Sequence, residues 1–190
     1  MVNMGKLILV TGGARSGKST FAEEKAKELG SKVLYVATAK QIDEEMEQRI
    51  AKHKARRPAV WETYEGYKNL DMTLDGIIKG KSAVLLDCVT IMITNLMLDE
   101  SFDWDSLSRE RIDEIEEHIL HQIERLVSVI KMNDVPFILV SNEVGLGVVP
   151  ASSMGRDFRD IAGRMNQFLA RTADEVYFCV SGIPMKIKGA

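Results

Sequence analysis

Residues 6–19 read KLILVTGGARSGKS, an apolar run from Lys6 to Thr11 that breaks at Gly12-Gly13 and leads into Gly17-Lys18-Ser19. A short continuous apolar run is the pattern of a strand buried on both faces. The segment that follows, Ser19 to Leu29, has helical composition and stops at Gly30. Between strand and helix, Gly12-Gly13-Ala14-Arg15-Ser16-Gly17-Lys18-Ser19 matches G-x-x-x-x-G-K-[ST]. Glycines there let successive backbone N–H groups wrap phosphate oxygens, and the helix N-terminus adds partial positive charge. In this pattern Lys18 reaches the β/γ-phosphates and the Ser19 hydroxyl ligates Mg²⁺.

Further short apolar runs follow at Lys32–Ala37, Ala83–Leu86, Pro136–Val140 and Glu175–Val180, separated by charged segments of helical spacing. The longest helix is expected over Ser106–Met132, with Ile112, Ile115, Ile119, Ile123, Leu126, Val127 and Ile130 forming one apolar stripe. A second is expected over Gly155–Thr172. Loops are expected at Asp99–Asp105 and Val144–Pro150. Alternating strands and helices predict an α/β fold, a mostly parallel sheet flanked by helices with ligands at the carboxyl ends of the strands. Ile183–Lys188, after the Ser181-Gly182 turn, is placed to add an antiparallel edge strand.

The chain has 190 residues, 45% hydrophobic, with 28 acids against 25 bases for a net charge of −3. One compact domain spanning 1–190 is the expectation at this length. The apolar content excludes a disordered chain, and the absent basic excess argues against a nucleic-acid or anionic-membrane partner. Cys88 and Cys179 form no CxxC pair and read as buried thiols in a reducing compartment. With no spanning apolar run and no signal peptide, a cytoplasmic protein is expected.

Two further elements point to chemistry. Asp87 ends the run Ala83–Leu86, where phosphate-loop enzymes carry the acid that holds Mg²⁺ or its water. Arg49, Lys52, Lys54, Arg56 and Arg57 form a basic stretch without acids, directly after the acid-rich residues 43–47. If a helix runs from Ile42 through His53, Ile42, Met46, Ile50 and His53 share a sector of about 80°. His53 then lies on the inward face, either as a half-buried structural histidine or as a nucleophile. As a nucleophile it would attack the α-phosphorus of a nucleoside triphosphate and expel pyrophosphate. Basic neighbours disfavour imidazolium and so keep such a nucleophile neutral.

These features resemble the bifunctional adenosylcobinamide kinase and adenosylcobinamide-phosphate guanylyltransferase family of cobalamin biosynthesis. The resemblance rests on ILVTGGARSGKS (8–19), LYVAT (34–38), RIAKHKARRPAVW (49–61), SNEVGLGVVP (141–150), FRDIAGRMNQ (158–167) and ADEVYFCVSG (173–182). It implies a RecA-like phosphate-loop fold, phosphorylation of adenosylcobinamide by GTP or ATP, and GMP transfer from GTP through a guanylylated His53. It also implies nucleotide contacts at Gly12 through Ser19, Thr38, Ala39, Lys40, Lys54, Ala55, Arg56, Arg57, Glu65 and Asp87. Mg²⁺ at Ser19 and Asp87, a corrinoid substrate and a homotrimer complete the implied picture. On the residues alone a single-reaction small-molecule kinase and a RecA-like nucleotide-binding regulatory protein stay open. Asn142, Glu143, Arg159, Asp160, Arg164 and Asn166 read equally as acceptor-site residues or as turn and surface structure.

Overall fold

Leu7 through Gly12 form the first strand, β1, and every residue of it is buried, as a strand covered on both faces requires. The computed structural model describes residues 5–40, 57–100 and 103–189. In chain order the elements after β1 are α1 (Lys18–Leu29), β2 (Val33–Ala37), β3 (Glu62–Glu65), α2 (Leu70–Ile77), β4 (Ala83–Asp87) and α3 (Val89–Met97). A 3₁₀ turn at Trp104–Ser106 leads into α4 (Arg109–Met132), followed by β5 (Phe137–Asn142), α5 (Ser153–Thr172), β6 (Glu175–Val180) and β7 (Ile183–Lys188).

The seven strands among the described residues form one sheet in the order β3-β2-β4-β5-β1-β6-β7. All pairs are parallel except β6 with β7, so the expected C-terminal edge strand is present and antiparallel. Period-two alternation divides the strands between two cores. Leu7, Leu9, Leu34, Val36, Phe137 and Leu139 face α2 to α5, whereas Ile8, Val10, Tyr35, Leu85 and Val140 share a core with Ala22 and Ala26 of α1 and with Trp61.

The stripe on α4 is buried at all seven expected positions. Seven such aliphatic side chains represent about 10–20 kcal/mol of gross transfer free energy, an upper figure because the unfolded chain is itself partly compact. Ser108 caps α4 by accepting a bond from the Arg111 amide (3.3 Å), and Ser152 caps α5 by accepting from Gly155 (3.1 Å). These caps move the two helix starts to Arg109 and Ser153, three residues later and two residues earlier than the spacing predicts.

Three elements escape the sequence reading. β3 is mostly exposed and carries no alternating pattern. α2 is eight residues long, too short for a clear period. The apolar run 83–98 divides into β4 and α3, whose buried residues lie nearly all round the helix. Both cysteines are free and buried. Among the described residues no helix is long and apolar enough to cross a membrane.

Candidate active site

The phosphate loop leaves the end of β1 and enters α1 at Lys18. Gly17, the residue before the helix, has φ +89°, and a Cβ there would sit 3.0 Å from the Gly182 Cα. Only glycine meets both conditions without strain. The loop is anchored at each end: the Glu143 amide donates to the Gly12 carbonyl (3.0 Å), and the Gly182 amide donates to the Ser16 carbonyl (2.9 Å). The turn between β6 and β7 therefore braces the loop from the side opposite β5.

Lys18 is almost wholly buried, with its ammonium bonded to the Gly13 carbonyl at 3.0 Å. Burial lowers its pKa, and the neighbouring Cys88, Asp87 and Cys179 act in the opposite sense. A buried ammonium held by one carbonyl is placed to exchange that weak partner for phosphate oxygens. The Ser16 Oγ is buried without a hydrogen-bond partner beside it, a further donor for an anion in the loop.

Asp87 ends β4, and β5 separates it from β1. Tyr35 on β2 donates its hydroxyl to the Asp87 carboxylate at 3.2 Å. Burial first, and then Asp87, push the Tyr35 phenol well above its ordinary pKa, so it remains a donor. The guanidinium of Arg57 stacks on the same ring, 3.2 Å from its centroid, and its Nε and Nη1 atoms are buried without a partner. One aromatic side chain thus joins the end of the basic stretch to the acidic strand end.

Ala37 pairs in register with both Glu65 and Asp87, which brings the ends of β3, β2 and β4 to one level. Glu65 is exposed there, and Ala39 is half-buried. Lys40 reaches Asp99 (3.4 Å) and lies over the Tyr67 ring (4.3 Å). Thr38 is fully buried and its hydroxyl is already engaged: it donates to the Cys88 carbonyl (2.8 Å) and accepts from the Cys88 amide (2.9 Å). Asn95 adds a bond to the Thr38 carbonyl at 2.7 Å. Burial, reinforced by Asp87, pushes the Cys88 thiol up to about 11, leaving it protonated. His53, Lys54, Ala55 and Arg56, with the expected helix Ile42–His53, lie outside the described residues.

Sequence reasoning missed Tyr35, which reads as one more apolar strand residue until its hydroxyl is placed on Asp87. It also left Asn142 undecided. The Asn142 side chain donates to Thr90 (2.7 Å), while Asn166 donates to the Asn142 carbonyl (3.0 Å) and accepts from Ser141 (2.6 Å). This network fixes the end of β5 next to the loop. Arg164 pairs with Glu116 of α4 and Arg159 with Asp160, so both guanidiniums are ion-paired on α5.

Ser19 and Asp87 offer a hydroxyl and a carboxylate, hard oxygen donors of the kind that would suit Mg²⁺. Among the described residues no group of three or more His, Cys, Asp or Glu could hold a metal by itself.

A phosphate loop between β1 and α1, with an acid one strand away in a 3-2-4-5-1 order, defines a RecA-like phosphate-loop nucleotide-binding protein. The family model for cobinamide kinase / cobinamide phosphate guanyltransferase matches residues 8–187, and the chain belongs to that family. It is 46% identical to the bifunctional adenosylcobalamin biosynthesis protein CobU of Escherichia coli, over 96% of this chain and 99% of that protein. The Salmonella typhimurium protein of the same name is 44% identical with the same coverage, and CobP of Pseudomonas aeruginosa is 42% identical over 95% of this chain and 96% of its own. Similar solved structures include the RadB recombinase (TM-score 0.48, 16% identity, 93% of this chain and 75% of that one). The flagellar accessory protein FlaH of Methanocaldococcus jannaschii is comparable (TM-score 0.48, 14% identity, 99% and 80%).

Proposed function

We propose that this chain, acting as one domain, catalyses two successive reactions on adenosylcobinamide at the phosphate loop. In the first, the aminopropanol hydroxyl attacks the γ-phosphorus of a nucleoside triphosphate and the diphosphate leaves. In the second, His53 attacks the α-phosphorus of GTP, forming a P–N bond and releasing pyrophosphate. The phosphate of adenosylcobinamide phosphate then attacks that phosphorus, the P–N bond breaks, and adenosylcobinamide-GDP departs as free His53 returns.

The observation that carries this reading is the stacking of Arg57 on Tyr35, whose hydroxyl holds Asp87. Arg57 follows His53 by four positions in the chain, a reach of at most about 14 Å. Lys18, Ser16 and the loop amides bind whichever phosphates are not being attacked, and the unpartnered nitrogens of Arg57 supply a second anchor for them. Mg²⁺ held by Ser19 and Asp87 would neutralise phosphate charge. We assign Lys40 and Glu65, at the rim of the strand ends, to the nucleotide's outer contacts.

We further take the protein to be a cytoplasmic homotrimer. Ile183 and Met185, exposed along β7, support self-association.

Incubation with GTP labelled at the α-phosphate tests the covalent step. The expected result is an acid-labile, base-stable protein adduct that is lost in His53→Ala and kept in His118→Ala. Phosphorylated corrinoid without any adduct would reduce the protein to a single-reaction kinase. Nucleotide binding with no corrinoid product would make it a regulatory protein.

A further inference from the structure

An open groove of about 550 Å³ runs between α5 and the face of β1, β6 and β7. Its floor is apolar, formed by Leu9, Val176 and Phe178. Its α5 wall includes Gly163 and the exposed Gln167. At one end stand Thr11 and Glu143. Thr11 immediately precedes the first glycine of the phosphate loop, and the Glu143 amide bonds the carbonyl of that glycine. The groove therefore opens onto the loop.

Three observations identify its occupant. Thr11 follows Leu7 and Leu9 on the apolar face of β1, yet it places there a hydroxyl that is nine-tenths buried (9% exposure) and makes no hydrogen bond. An unpaired buried hydroxyl on the wall of an open groove points to a ligand atom that completes it. The two arginines that line the groove, Arg159 and Arg164, are paired with Asp160 and Glu116, so its lining offers no unpaired cation to a second polyphosphate. An apolar floor with a polar rim that lacks unpaired cations suits a broad ring fringed by carboxamides. Finally, residues of the stretches 141–150 and 158–167 meet here, and neither stretch is among the nucleotide contacts that the resemblance implies.

We infer that this groove is the acceptor site, seating a face of the corrin ring and leading the aminopropanol arm past Thr11 to the loop, with the Thr11 hydroxyl bonding that arm. The inference rests on the two-reaction reading above and adds where the acceptor binds. The same seat serves both reactions, because the hydroxyl phosphorylated in the first becomes the phosphate that attacks in the second.

Gly163 gives a clean test. A Cβ at Gly163 meets nothing within 4 Å, and any ordinary side chain favours a helix interior over glycine. Gly163→Trp should therefore fold and fill the groove, with Gly163→Ala as its control. For Gly163→Trp the expected result is a rise of about tenfold or more in the KM and dialysis Kd for adenosylcobinamide, with GTP affinity and adduct formation unchanged. Thr11→Val, which is isosteric, should lower kcat/KM for adenosylcobinamide about fivefold or more without loss of Tm or of GTP affinity. A Gly163→Trp enzyme with wild-type corrinoid KM overturns the assignment. So does one whose sedimentation changes while its KM does not, which would make the groove a contact between copies. A wild-type protein that makes no phosphorylated corrinoid removes the underlying reading instead, and is distinguishable because it fails before any variant is compared.

Discussion

Replacing Thr38 by valine separates two roles for one residue. The family resemblance makes Thr38 a nucleotide contact, whereas in the fold its hydroxyl clips the end of β2 to the start of α3 through both backbone groups of Cys88. Valine keeps the volume and removes the hydroxyl. The Cys88 carbonyl retains a second donor, the Met92 amide at 3.1 Å. The Cys88 amide loses the acceptor it has in Thr38 Oγ1 and is left in a site 4% exposed to solvent. An unsatisfied buried donor plus the lost bond should cost about 2–3 kcal/mol. For a domain of this size that is a fall of about 5–10 °C in Tm. The assay is thermal unfolding of nucleotide-free Thr38→Val beside Thr38→Ser, which keeps the hydroxyl and should lose much less. An unchanged Tm in Thr38→Val, with GTP affinity reduced, would refute the clip and return Thr38 to the nucleotide.

Lys18→Met should abolish phosphate binding while leaving Tm of the nucleotide-free protein equal or higher, because the native fold holds the ammonium in a desolvated site that lowers its pKa; calorimetric titration with GTP and a melting curve check both halves. Acid should weaken the far edge of the sheet through Glu175. Burial there favours the neutral acid, but bonds from Lys6, Tyr177 and Lys186 outweigh it and hold the carboxyl at about 2, below its ordinary 4.5. A depressed folded pKa gives stability that is fully present above about pH 4.5 and is lost as pH falls toward 2. After solvent screening the amount is on the order of 2 kcal/mol. Glu175→Gln should show a flatter decline in urea midpoint between pH 6 and 3 than the wild type.

The residues of the chain by themselves determined the strand, loop and helix around Gly12–Ser19, the stripe on α4 and the acid at Asp87. Each of these is a local pattern: a run buried on both faces, a 3.6-residue period, a carboxylate at a strand end. The helix caps at Ser108 and Ser152 were equally local, but they compete with several nearby Ser and Asp residues, and packing chooses among them. β3 was invisible because its short, exposed sequence pairs only through its backbone with β2. Tertiary structure alone decided which polar groups act and which are merely satisfied. It engages the Thr38 hydroxyl with a backbone 50 residues away, stacks Arg57 on a tyrosine that holds Asp87, pairs Arg159 and Arg164 with acids, and leaves Thr11 with an unanswered hydroxyl. A side chain's type advertises what it can bond, but whether that capacity is free for a ligand depends on neighbours that only the folded chain supplies.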